Sequence, residues 1–292
     1  MSQSASILYS SVLRRRRIKD RLMTGMIILF SVIAVIPLFM VFYHIIRNGA
    51  PSLSLNFFTR LPAPLGETDG GMGNCILGSL ILILLASVVA VPIGIFGGVY
   101  LSEYKEEKTA SVFRWTIDLL TSMPSIVVGL FIYSALVVPF HTFSAVAGAA
   151  ALALLMLPIV AKTTEEVLKL TPSYVREAGL ALGLSRWRVI LFIVLRGRKP
   201  AVMTGVVLAL GRIAGETAPL LVTAFGNRNW PSSLMQPTPS LPVQIYNYAI
   251  SPYKDWHNQA WAGAFTLVML IFFINIVTRF IFSRSGVSRN SQ

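Results

Sequence analysis

Long apolar runs separated by short charged segments set the pattern of this chain. Residues 22–46 form a run of 25 positions without a charge, framed by Arg21 and Arg47. About 20 apolar helical residues cross a bilayer core, so this run predicts one span. Residues 70–102 predict a second, with Gly70-Gly71-Met72-Gly73 as an interfacial or re-entrant lead-in. Residues 119–161 hold 43 positions without Lys, Arg, Asp or Glu, too many for one crossing. Pro139-Phe140-His141-Thr142 divides that run into two helices. Residues 201–224 predict a fifth span despite Arg212 and Glu216, and residues 256–278 a sixth. The runs are apolar on all sides instead of alternating, which predicts helices and not barrel strands.

Composition strengthens this reading. Charged residues make up 13% of the chain and hydrophobic ones 54%. A soluble domain carries about 25% charged residues, so the exterior for one is missing. With 17 Phe, 9 Tyr and 5 Trp, the chain is also too apolar for disorder. The expected fold class is an all-α integral membrane protein of six transmembrane helices.

The net charge of +13 suggests nucleic acid at first sight, but the basic residues lie between uncharged runs and not on one soluble face. No nucleic-acid partner is expected. With the N-terminus inside, the inner segments hold 20 basic residues and the outer ones 4: Arg47, Arg60, Arg228 and Lys254. Positive charge collects on the cytoplasmic side, so both termini are expected there, in the plasma membrane. Arg14 to Arg17 serve as a topological anchor or bind anionic membrane lipid. The first apolar run is too long for a cleavable signal peptide. The resulting division is a basic segment 1–21, a first helix 22–46, an outer loop 47–71, a core 72–281 and a tail 282–292. Within the core lie an inner loop of about 162–199 and an outer loop of about 225–259. Trp230, Tyr246, Tyr248, Tyr253 and Trp256 are the latter's candidate anchors, for an external partner or for the membrane surface.

Several chemistries have no residues to carry them. No G-x-x-x-x-G-K-[ST] loop is present, so the chain does not cradle ATP itself, and neither G-x-S-x-G nor H-E-x-x-H occurs. His44, His141 and His257 sit at span ends, and Cys75 reads as a small buried hydrophobe. No catalytic residue, metal site or cofactor on this chain is expected.

The inner loop has a shape of its own. Pro172 and Ser173 open a helix over 173–182 whose Val175, Ala178 and Leu182 share one face. Gly183 stops it, and Ser185 caps a second helix from Trp187 toward Leu195. Such a bent pair is either a docking surface or a plain connection between spans. Glu177-Ala178-Gly179, Gly183 and Ile193-x-Leu195 resemble the EAA loop of ABC importer permeases of the binding-protein-dependent type. Gly179 stands where the pattern has a second alanine, and Arg196 where it has proline. The resemblance implies a type I importer fold in which Glu177, Ala178, Gly179 and Gly183 couple the chain to a separate ATPase subunit.

Arg212 and Glu216 lie four apart in an apolar stretch, where charge is costly unless paired or facing a wet cavity. On a continuous helix they share a face. Gly211 and Gly215 leave room for another helix, and Pro219 loosens this one. Either the pair pins helices together or Arg212 offers its fork of donors to an oxyanion. Residues 212–224, Arg-Ile-Ala-Gly-Glu-Thr-Ala-Pro-Leu-Leu-Val-Thr-Ala, are similar to the fifth span of phosphate importer permeases. Pro124-Ser-Ile-Val-Val-Gly-Leu-Phe, Leu241-Pro-Val-Gln-Ile-Tyr and Ala260-Trp-Ala-Gly-Ala resemble the A-type subunits of that family. What this resemblance implies is translocation of inorganic phosphate past Arg212, Glu216 and Thr217. It also implies three kinds of companion: a PstC-type permease subunit in a heterodimer, two PstB-type ATP-binding subunits that hold ATP and Mg, and an external PstS-type phosphate-binding protein. A permease for sulfate or molybdate, a non-transporting assembly protein and an ion channel are the alternatives.

Overall fold

The computed structural model describes residues 3–64 and 70–283, and its regular elements there are helical. In order these are α1 Gln3–Gly49, α2 Leu55–Thr59, α3 Gly73–Glu103, α4 Lys108–Ser122, α5 Ser125–Phe140, α6 Ala145–Lys169 and α7 Ser173–Ala181. Then follow α8 (186–214), α9 Ala218–Thr223, α10 Leu241–Ala249 and α11 Lys254–Ser283. Among the described residues four helices, α1, α3, α6 and α11, are long and apolar enough to cross a bilayer, and the joined α4 and α5 make a fifth at most.

Two of the six expected crossings therefore take another form. The run from 119 to Pro139 is not one straight span, because α4 and α5 meet at a bend of 106°. Pro124 causes it: the residue before a proline is driven out of the helical region, and Met123 adopts φ −68° and ψ 135°. The run 201–224 stops at Ala214 and restarts at Ala218, leaving a non-helical break at 215–217. The turn expected at 139–142 is present, with His141 at φ 51° and Ser144 capping α6 by accepting from the Ala147 amide at 3.1 Å.

The core is built around α6, whose alanine-rich first half lets neighbours approach. Lipid tails are as apolar as leucine, so close packing, more than water exclusion, holds such helices together. Leu82, Ala86 and Ala90 of α3 meet Leu152, Met156 and Val160 of α6 and Val206, Ala209 and Ile213 of α8. A Cβ placed on Gly98 of α3 would lie 2.5 Å from the Ala161 carbonyl oxygen. By contrast the apolar part of α1 is exposed along its whole length. It packs on α11, where Gly49 lies against Trp261 and Phe265.

At the N-terminal end of α3, residues 224–240 and α10 fold back over that helix. The Asn74 side-chain amide donates toward the carbonyls of Asn227, Arg228 and Asn229 at 3.2, 3.1 and 3.3 Å. Ser79 accepts from the Leu241 amide at 2.8 Å.

Candidate functional site

Two constructions carry the candidate residues. The first is the hairpin of α7 and the start of α8. α7 ends in a paired-bond C-cap: Leu184 N–H donates to Gly179 C=O at 3.3 Å and Gly183 N–H to Leu180 C=O at 2.9 Å. Gly183 takes φ +77°, a left-handed conformation that a side chain disfavours. A Cβ there would touch nothing within 4 Å, so backbone conformation, not bulk, is what demands glycine.

Gly179 is required for the opposite reason. A Cβ on it would lie 2.9 Å from Val189 and 3.1 Å from Ile193, so α7 seats directly on α8. The expected second loop helix at 187–195 is not a separate element. It runs through a wider, π-type stretch, Val189–Leu195, straight into the rest of α8, with Pro200 inside the helix. Its buried Val189, Ile190 and Val194 pack with Leu168 and Val99, which binds the hairpin to α6 and α3. On the outward face of α7 Leu182 is 81% exposed, Tyr174 and Ala178 are exposed, and Val175 is half-buried. Glu177 is exposed and makes no ion pair among the described residues.

Charged groups that sequence spacing could not join hold this hairpin. Arg176 grips Glu103 at the end of α3, with Nη2 and Nε at 2.7 and 2.9 Å from Oε1. The same guanidinium donates to the carbonyls of Thr171 and Leu168, the last of which is at the end of α6. Arg186 lies 4.8 Å from the Tyr104 ring centre. Nearby, the buried Glu165 carboxylate is paired with Arg114 at 2.8 Å and Lys169 at 2.6 Å. Arg176 and Glu103 are 73 positions apart along the chain and Arg114 and Glu165 are 51, so these two pairs left no local signal.

The second construction is the break at 215–217. Arg212 stands on the last turn of α8 and Glu216 in the break, so the pair does not share a continuous helix face. Gly215 closes α8, its N–H donating to Arg212 C=O at 3.3 Å. Arg212 Nε lies 3.9 Å from Glu216 Oε1, the long limit of an ion pair. The arginine side chain is 57% exposed and the glutamate 17%, so the guanidinium points away from this chain's own core. Thr217 precedes α9 without its side chain capping that helix. Pro219 does not loosen a span, since the helix has already ended. It sits in the first turn of α9, where its missing donor costs nothing, and packs on Gly129 of α5. An added Cβ on Gly211 would make an ordinary contact with Ile271 of α11 at 3.7 Å, whereas among the described residues one on Gly215 would meet only its own Arg212 carbonyl at 3.9 Å. In the outer loop Tyr248 is buried and stacks on Trp256 at 4.8 Å, so it is part of the packing and not a free anchor. Trp230, Tyr246 and Tyr253 are exposed.

Comparison with known proteins adds four findings. Residues 90–286 match the family described as binding-protein-dependent transport system inner membrane component. The chain is 42% identical over 270 residues to the phosphate transport system permease protein PstA of Yersinia pestis, covering 92% of each. It is 36% identical over 262 residues to the probable phosphate transport system permease protein PstA of Methanocaldococcus jannaschii, covering 89% of this chain and 92% of that one. Among solved structures, an inward-facing MetNI methionine ABC transporter chain superposes with a TM-score of 0.58 at 16% identity, over 74% of this chain and 94% of its own.

Proposed function

The chain belongs to the family of binding-protein-dependent transport system inner membrane components, and on that premise we propose that it is the membrane permease subunit of an importer of inorganic phosphate. The observation that carries the substrate is the near full-length likeness to phosphate permeases from a bacterium and an archaeon. The site geometry agrees chemically: an exposed guanidinium, weakly held by its own glutamate, is free to exchange that carboxylate for a tetrahedral oxyanion. Glu216 then stays close enough to take the arginine back when the anion leaves.

Energy comes from outside the chain. Two PstB-type subunits hold ATP and Mg and dock on the exposed face of α7, where Ala178 and Leu182 meet the partner and Glu177 offers it a charge. A PstC-type permease covers the side of Arg212 left open here, and a PstS-type binding protein delivers phosphate outside. With 20 basic residues inside against 4 outside, both termini lie in the cytoplasm. That requires α8 and α9 together to make one further, broken crossing.

The test is uptake of labelled phosphate and sulfate by vesicles holding the assembled complex, with Arg212→Leu/Glu216→Leu as the variant. The double change removes both charges, so assembly is expected to persist while phosphate uptake is lost. Uptake near the wild-type rate would remove the pair from the mechanism, and a wild-type preference for sulfate would overturn the substrate.

A further inference from the structure

The basic end of α1 has no part in the transport function proposed above. Residues 14–21 hold six basic side chains, Arg14, Arg15, Arg16, Arg17, Lys19 and Arg21, and Asp20 is the one carboxylate before residue 67. α1 carries them as a direct continuation of its apolar run, with no turn between Arg21 and Leu22. The next segment assigned to the cytoplasm makes do with three basic residues, Lys105, Lys108 and Arg114. Orientation alone therefore does not call for six.

Successive residues of an α-helix point about 100° apart, so four consecutive arginines encircle it. A protein partner meets a helix along one face, whereas lipid headgroups surround it. The depth fits as well: the collar starts at the last apolar residue and rises about 12 Å, through a headgroup layer roughly 5–8 Å deep. Every residue from Arg16 to Tyr43 is exposed, and Arg16, Arg17, Lys19 and Arg21 make no ion pair among the described residues. Arg17 stands one turn before Arg21 on the same side of the helix. From Arg21 an open trough of about 430 Å3 runs along that helix, walled by Leu22, Met26 and Leu29. Two guanidinium forks at the head of an apolar trough match a phosphodiester with an acyl chain beneath it.

We propose that the basic end of α1 is a binding site for anionic phospholipid. The lipid phosphate sits between Arg17 and Arg21, and its chain lies along Leu22, Met26 and Leu29. The site does not depend on which anion the complex transports. Bound lipid holds the end of α1 that the chain itself leaves without neighbours, since α1 packs on α11 at the other end, around Gly49.

The test uses the assembled complex with Met26→Trp as a reporter, in nanodiscs of phosphatidylcholine that hold brominated phosphatidylglycerol or brominated phosphatidylcholine. The parent complex without the added tryptophan supplies the background. The reporter is expected to be quenched at a lower mole fraction of the anionic lipid than of the neutral one. Raising the salt from 0.1 to 1 M shortens the screening length from about 10 to about 3 Å and should erode that preference. Arg17→Gln/Arg21→Gln should weaken it by about fivefold for each arginine removed, and Arg17→Lys/Arg21→Lys should retain part of it. The glutamine variant keeps Arg14, Arg15, Arg16 and Lys19, so its insertion is expected to persist, and the comparison of lipids around the intact collar does not rely on it. Equal quenching by the two lipids around the intact collar would overturn the site and make the cluster a topological anchor alone. An undiminished preference in the glutamine variant would place the lipid elsewhere and overturn the assignment to Arg17 and Arg21. Loss of the preference when inorganic phosphate replaces chloride at equal ionic strength would make a free anion the occupant and refute the lipid.

Discussion

Glu103→Gln is expected to loosen the inner hairpin from the membrane core without unfolding either. The Glu103 carboxylate is 6% exposed and the Arg176 guanidinium 21%, so water screens little of their attraction. Removing one partner of a fully buried pair costs about 3–5 kcal/mol. Here the loss is smaller, because Arg176 keeps its bonds to the Leu168 and Thr171 carbonyls and glutamine still accepts one N–H. We expect about 2 kcal/mol, which corresponds to roughly thirtyfold faster hydrogen exchange for α7 amides that open locally. A cycle with Arg176→Gln isolates the pair: the double variant should exchange little faster than either single one. Exchange in α7 within twofold of wild type for Glu103→Gln, or single effects that simply add, would refute the anchor.

Three further outcomes follow from the packing. Gly183→Val forces a β-branched residue to φ +77°, a strain of about 1–2 kcal/mol, and should reduce co-purification of the ATPase. Gly183→Asn, which tolerates that backbone, should retain it, and equal retention by both would show that the turn is not needed. Gly98→Val places a methine 2.5 Å from the Ala161 carbonyl and 2.6 Å from Thr164 Cβ, so α3 and α6 must separate. Its detergent-stable yield should fall severalfold, and an unchanged yield would mean that the two helices do not pack this closely.

Much of this architecture is legible in the sequence because apolar run length is a local property. The bounds of α3, the turn around His141 and the helix opening at Ser173 all have local causes, whereas α6 runs on to Lys169, past the loop start expected at about 162. The bend at Met123 was hidden inside an uncharged run, although Pro124 was its signal. The joining of the loop helix to α8 was hidden as well, since the helix expected from Trp187 toward Leu195 and the apolar run 201–224 are separated by the charged residues Arg196, Arg198 and Lys199. Gly179 departs from the family's alanine, and only the three-dimensional seat on Val189 and Ile193 explains it. At the site, the residues Arg212, Glu216 and Thr217 were identifiable, but their relation was not. A spacing of four implies a shared face only if the helix continues, and Gly215 ends it. Glu103 with Arg176 and Arg114 with Glu165 are long-range pairs, which no periodicity encodes.

The unequal burial of α1 and α6 has a consequence for how such sequences diverge. None of the apolar window of α1 is buried, whereas 67% of that of α6 is. Any lipid-compatible side chain suits a position on α1, so substitutions there pass unnoticed and accumulate at nearly the mutational rate. On α6 the alanines at 147, 149, 151 and 161 are each held against a neighbouring helix, and a single added methyl group has nowhere to go. Among descendants of one ancestor, the first helix should therefore be the fastest clock in the chain and the small-residue face of α6 the slowest, although both are apolar enough to cross a bilayer.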